Sequence, residues 1–85
     1  MVLVSESRDE AIMRRAGELL EQSGAQAKDR FWSAELRFWD YALRDTTLSL
    51  CWEQEFGLSL LAGELEPACE ALVQRLAAEL RSRLG

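Results

Sequence analysis

The sequence contains no histidine, only two cysteines and a single proline. Histidine is the commonest general base and a frequent metal ligand, so its absence removes the usual route to acid–base catalysis and to zinc binding. The five glycines are scattered along the chain and form no phosphate-binding loop. Cys51 and Cys69 are too far apart in sequence to form a CxxC motif. We therefore expect no enzymatic activity, no cofactor and no metal.

Long apolar runs are also missing. No run approaches the 18 or so residues that a membrane-spanning helix needs. The opening residues Met1–Ser7 lack the basic flank and the apolar stretch of a secretory signal. A chain of 85 residues is the size of one small domain. We expect a single domain over residues 1–85 and a cytoplasmic location.

Acidic residues are concentrated in the middle of the chain. Residues 29–66 contain eight of them against three arginines, which accounts for the whole net charge of −5. The same segment holds every aromatic side chain. An acidic surface repels nucleic-acid phosphates and anionic lipids and favours basic partners. We therefore expect a protein partner, and neither a nucleic acid nor a membrane.

Two segments have the 3.6-residue period of amphipathic helices. The first, residues 8–23, follows a Ser7–Glu10 capping box, and its Gly17 would allow close approach to a sheet. The second, residues 67–83, begins at Pro67, a residue suited to the first helical position. The apolar stripes consist of Ile12, Met13, Ala16, Leu19 and Leu20 in the first helix, and of Cys69, Leu72, Val73, Leu76 and Leu80 in the second.

Between the helices the period of apolar residues shortens to two, which is typical of strands with one buried face. This alternation predicts strands over 32–41, 46–53 and 57–62, joined as an antiparallel meander. The opening residues Val2-Leu3-Val4 could add an edge strand. Cys51 would lie on the outer side of the second strand and Cys69 on the core side of the second helix, so we expect two free thiols.

The predicted fold is a small two-layer α+β domain of order α-β-β-β-α, with both helices packed on one face of the sheet. This element order resembles that of the double-stranded RNA-binding domain. Members of that family contact RNA through a basic start to their second helix. Here the corresponding region carries Glu64, Glu66 and Glu70, with no Lys or Arg before Arg75. The resemblance therefore extends to the fold and not to RNA binding.

The loop between the first two predicted strands decides which face each side chain occupies, because a slip of one residue exchanges the faces. A three-residue loop over residues 43–45 would bury Trp32, Leu36 and Phe38 together and leave Arg37 on the open face. We prefer this loop for that reason.

Two alternatives stay open. A two-residue turn at Arg44-Asp45 would place Trp39 and Tyr41 on the face of Leu48 and Leu50, with Leu36 and Phe38 pointing the other way. A β-bulge near Phe38-Trp39 would turn both halves of the strand toward the core. Neither loop contains the glycine or asparagine that would reveal its type.

With the preferred loop, Trp39 and Tyr41 form an open patch together with Glu35, Arg37 and Asp40. Trp and Tyr often anchor interfaces because they bury a large area and keep a polar group. We expect a small acidic protein–protein interaction module, of the inhibitor or immunity type, that covers a basic protein. The alternative is a structural homodimer that pairs through the open aromatic face or through an edge strand.

Overall fold

The structure, a computed structural model, describes residues 1–63 and 66–84. The elements are β1 (Val2–Ser5), α1 (Ala11–Gln22), β2 (Gln26–Trp32), β3 (Leu36–Leu43), β4 (Thr46–Glu53), β5 (Gly57–Ala62) and α2 (Pro67–Leu84). The strands form one antiparallel sheet in the order β1-β5-β4-β3-β2. The α+β class is confirmed, but the sheet has five strands and not the three of the predicted meander.

The two additional strands lie at the edges of the sheet. The optional strand at Val2-Leu3-Val4 is present as β1, paired with β5. The predicted first strand, 32–41, corresponds to β3 but starts four residues too early, because Ser33 closes a turn: its N–H donates to the carbonyl oxygen of Leu36 at 2.7 Å. The residues before this turn form β2, and all seven of them are exposed. The element order of the double-stranded RNA-binding domain is therefore not reproduced.

The first helix begins at Ala11, three residues later than predicted, because the capping box does not form. Asp9 caps the helix instead, since its Oδ1 accepts a hydrogen bond from the Ala11 N–H at 3.0 Å. Ser7 Oγ accepts from the Asp9 N–H at 3.2 Å. The Glu10 carboxylate is paired with Arg37 of β3. An interaction between the helix and the sheet thus replaces the predicted local one.

The register of β3 against β4 corrects the preferred loop. Leu43 opposes Thr46, Tyr41 opposes Leu48 and Arg37 opposes Trp52, so the turn consists of two residues, Arg44-Asp45. Arg44 adopts a left-handed φ of 57° to make this turn. The three-residue loop was therefore wrong. The bulge near Phe38-Trp39 was wrong as well, since the pairing is continuous from Leu36 to Leu43.

Both helices pack on the same face of the sheet, here called the helix side. The central strands supply Leu48, Leu50, Leu58 and Leu60 to this core, each 1% exposed or less. The helices supply Met13, Ala16, Leu20, Val73, Leu76, Ala77 and Leu80. Near its C-terminus, α2 is tied to β1 by a 2.8 Å hydrogen bond from Arg81 to the Leu3 carbonyl oxygen. The opposite face, here called the outer face, carries no helix in the described part of the chain.

Gly17 brings α1 close to β3. A Cβ atom at this position would lie 2.6 Å from the Tyr41 hydroxyl oxygen and 3.0 Å from the Trp39 ring. Both distances are shorter than carbon normally tolerates, so the glycine is required by packing. The close approach of this helix to the sheet, predicted from the position of Gly17, is confirmed.

We expect Gly17→Ala to destabilise the protein by about 1–3 kcal/mol, the usual cost of overpacking a core. Alanine has a higher helix propensity than glycine, which stabilises the protein by roughly 1 kcal/mol, and we expect the overpacking to outweigh this gain. In a Tyr41→Phe background the same change should cost less, because the nearest atom has been removed. Urea unfolding of the four proteins of this double-mutant cycle measures the coupling. An increase in stability for Gly17→Ala alone would contradict the packing.

Candidate protein-binding face

One row of side chains crosses the whole outer face. Phe31 opposes Phe38, Phe38 opposes Cys51, Cys51 opposes Ser59, and Ser59 opposes Leu3. Directly opposed residues of antiparallel strands lie on the same face of the sheet. With strands about 4.8 Å apart, this outer row spans roughly 19 Å.

The outer row has large apolar side chains at its ends and small ones at its centre. Phe31 is 58% exposed, whereas Cys51 and Ser59 are 2% and 7% exposed. Beside the small residues lies an open depression of about 830 Å³, which Leu3 and Phe56 also line. Large exposed apolar side chains gathered on one face are typical of interaction sites.

Carboxylates surround one end of this face. Glu6, Glu53 and Glu55 line the depression, together with a single basic side chain, Arg8. Glu35 joins Glu53 and Glu55 around an adjoining, smaller depression. None of these four carboxylates has an ion-pair partner within 4.0 Å among residues 1–63 and 66–84. The outer face therefore combines apolar side chains with unpaired negative charge.

Trp39 and Tyr41, predicted to be open, lie on the helix side. Tyr41 is 1% exposed and belongs to the core, and Trp39 is half-buried against it. The guanidinium of Arg30 lies over the Trp39 ring, 4.3 Å from its centroid. Burial raises the pKa of Tyr41, and the positive charge of Arg30 opposes this in part. The structural reason for the correction is the two-residue turn, which reverses the expected faces.

Arg37 is also on the helix side and is not free, contrary to the reasoning behind the preferred loop. Its carboxylate partner is Glu10, and its guanidinium lies 5.4 Å and 5.6 Å from the ring centroids of Trp32 and Trp52. Its Nε atom is buried without a hydrogen-bond partner. Trp32, expected in the core, is 70% exposed beside it.

The other two predicted residues are near the outer face. Asp40 lies on the outer face, where its Oδ1 accepts a 2.6 Å hydrogen bond from Ser49 Oγ. Glu35 is exposed in the turn before β3. The five predicted site residues are therefore divided between the two faces and do not form one patch.

Sequence reasoning missed the outer row. The two-residue turn would have placed Phe38 outside, but Phe31 belongs to a strand that has no alternating pattern. Leu3 depended on the optional edge strand. Ser59 and Cys51 are small residues whose role becomes visible only when the register of all five strands is known.

Cys51 and Cys69 are both free and buried, as expected. Cys69 Sγ donates a 3.6 Å hydrogen bond to the Thr47 carbonyl oxygen. Burial raises the pKa of Cys51 to about 11, and the Glu53 carboxylate adds to this increase. Cys51 is thus a thiol that reacts slowly near neutral pH, and it borders the depression.

Comparison of the chain with protein-family models, with curated proteins and with solved structures gives no significant match. No helix in the described ranges is both long and apolar enough to cross a bilayer. In the same ranges, no group of three or more His, Cys, Asp or Glu side chains has an arrangement that could hold a metal ion.

We expect Tyr41→Ser to destabilise the protein by about 3–5 kcal/mol, the cost of removing a large buried aromatic side chain. Phe31→Ser, the matched change on the outer face, should alter stability by no more than about 0.5 kcal/mol. Thermal and urea unfolding of the two variants make the comparison. Equal losses would contradict the assignment of the two faces.

We expect the Cys51 thiol to titrate at unusually high pH. In a Cys69→Ser background, alkylation by neutral iodoacetamide should still rise about tenfold per pH unit between about pH 8 and pH 10, where an ordinary thiol levels off. Glu53→Gln should move this profile to lower pH. Because the pKa of the Cys51 thiol is higher in the folded chain than in the unfolded chain, the protonated thiol contributes to stability below about pH 9. This contribution is lost as the pH rises. A plateau near pH 9 would contradict the burial of the thiol.

Proposed function

We propose that the protein is a small interaction module that binds a basic protein through the outer face of its sheet, as an inhibitor or immunity-type protein would. The observation that carries this proposal is the outer row, with Leu3, Phe31 and Phe38 on a face that no helix covers. Aromatic side chains such as these two phenylalanines contribute strongly to binding at protein interfaces, because each buries a large area.

The charges on the outer face favour a basic partner over a second copy of the chain. A twofold dimer buries the same patch on both subunits, so carboxylates such as Asp40 and Glu53 would meet a surface of the same sign. Like charges brought together at an interface cost several kcal/mol. A partner with Lys or Arg side chains around an apolar centre would match the surface.

The alternative homodimer could also form through the free edge of β2. All seven residues of this strand are exposed. However, Lys28 lies at its middle and the pairing with β3 shifts between Ala27 and Arg30. Charged side chains and bulges are the features that discourage pairing between edge strands. The edge therefore favours a monomer.

We expect the double change Phe31→Ser, Phe38→Ser to weaken partner binding at least about 30-fold, since an aromatic anchor contributes about 2 kcal/mol or more. The partner is first recovered from a lysate of the source organism, then purified and titrated calorimetrically with the wild type and the variants. Trp32→Ser is the matched control, because it removes an exposed aromatic side chain from the helix side. Binding should also weaken as salt is added.

Sedimentation at micromolar concentration tests the alternative on the same proteins. We expect the wild type to be a monomer without its partner. A stable wild-type dimer that Phe31→Ser, Phe38→Ser dissociates would replace the proposal by the homodimer. Equal partner binding by the wild type and the double variant would contradict a role for the outer face.

A further inference from the structure

The depression beside the outer row, here called the acidic pocket, has room for a side chain of a partner. Its volume is about 830 Å³. It lies beside Cys51 and Ser59, which are much smaller than Leu3 and Phe38 on either side of them in the row. Large side chains at these two positions would narrow it.

Apolar surface and charge are both present within the acidic pocket. Leu3 and Phe56 offer apolar surface, while Glu6, Glu53 and Glu55 outnumber the single basic side chain, Arg8. None of these charged groups forms an ion pair within the described chain. Long basic side chains have this dual character, because an aliphatic stem ends in a charged group.

A second observation points to a ligand. Ser59 lines the acidic pocket and is 93% buried, since only 7% of it is exposed. Its Oγ has no hydrogen-bond partner among the residues that the structure describes. The fully buried side-chain atoms without a partner in the described chain are Arg37 Nε and the Tyr41 hydroxyl, so the Ser59 Oγ is open to solvent, on the side of the pocket that the residue lines. This hydroxyl is available to a group that enters the pocket.

We propose that the acidic pocket binds a Lys or Arg side chain on an apolar segment of the protein partner. This inference rests on the proposed function and specifies where the partner is anchored. The aliphatic stem packs against Leu3 and Phe56, the cationic group is held by Glu53 and Glu55, and Ser59 Oγ accepts a hydrogen bond from it. Charge-assisted hydrogen bonds of this kind are shorter and stronger than neutral ones.

Cys51 provides a built-in reporter of the charge in the acidic pocket. In a Cys69→Ser background, Cys51 is the single thiol, and its reaction with two methanethiosulfonates of opposite charge can be compared. The quantity compared is the ratio of the reaction rate with the cationic trimethylammonium-ethyl reagent to the rate with the anionic sulfonato-ethyl reagent. We expect this ratio to be at least tenfold higher for Cys51 than for a small thiol in solution. Glu53→Gln, Glu55→Gln should reduce this ratio several-fold.

The matched control for the reporter is Glu18→Gln, Glu70→Gln, which makes the same change in net charge at exposed positions on the two helices. We expect it to leave the ratio nearly unchanged. A ratio equal to that of the small thiol, or the same decrease in both double variants, would overturn the proposal, because the charge would then be a property of the whole protein.

Binding is tested with a defined probe, the peptide acetyl-Leu-Arg-Leu-Arg-Leu-amide, titrated into the ¹⁵N-labelled protein. We expect amide shifts at Leu3, Cys51, Phe56 and Ser59. They should be lost with the citrulline analogue, which keeps the shape of the arginine side chain but not its charge. Ser59→Ala, which removes the hydroxyl and leaves Cβ in place, should weaken binding of the peptide several-fold.

The pattern of shifts separates this inference from the proposed function. Shifts at Phe31 and Phe38 without shifts at Ser59 and Cys51 would overturn the anchor while retaining the outer face as a binding surface. Equal shifts with the arginine and citrulline peptides would overturn the anchor as well. An absence of shifts anywhere on the outer face would count against both proposals.

Discussion

The two-residue turn at Arg44-Asp45 determines on which face of the sheet each side chain of β3 lies. With this turn, Tyr41 pairs with Leu48, and the pairing of β3 with β4 continues without interruption to Leu36 and Glu53. Because side chains alternate along a strand, one additional loop residue would exchange the two faces of β3. Arg44 adopts a left-handed φ of 57°, a conformation that glycine and asparagine accept more readily. The burial of Trp39 and Tyr41 behind the helices offsets this local cost.

The helix side is closed in two different ways. Over β4 and β5, the helices cover aliphatic side chains such as Leu50 and Leu60. The strand β2 has no such cover, and here arginine side chains lie over aromatic rings: Arg30 over Trp39, and Arg37 between Trp32 and Trp52. A guanidinium can shield an aromatic face and still meet water, which an aliphatic side chain cannot do. This arrangement allows a small chain to form five strands with only two helices.

The sequence predicted the elements whose period is strong and whose neighbours are close. The second helix was predicted to within one residue, and the predicted strands 46–53 and 57–62 match β4 and β5. The strand β2 was missed because its side chains are exposed on both faces, and pairing with the backbone of β3 holds it in place. Such pairing leaves no apolar alternation in the sequence. Ser33, Ala34 and Glu35 continued an apparent alternation across what is a turn.

The candidate site could be predicted in its charge but not in its geometry. Glu35, Glu53 and Glu55 were visible as part of an acidic segment, and they lie at one end of the outer face. The two aromatic residues assigned to that surface lie on the opposite face. The two-residue turn that causes this contains an arginine with a positive φ, which is rare for this residue type, so the sequence did not indicate the loop length. Phe38 takes the outer position that had been given to Trp39. A single backbone conformation thus decides which aromatic residues of β3 lie on the outer face.

The distribution of polar and apolar residues on the outer face supports a role in binding. Thr47 and Ser49 occupy outer positions of β4, so this sheet accepts polar residues there. Neither phenylalanine at positions 31 and 38 belongs to the core, so core packing does not explain an aromatic side chain at either position. These two side chains lie in one row with Leu3, beside the unpaired carboxylates. This arrangement gives the surface a direction, apolar at the centre and acidic at one end, and it can therefore specify the orientation of a partner as well as its charge.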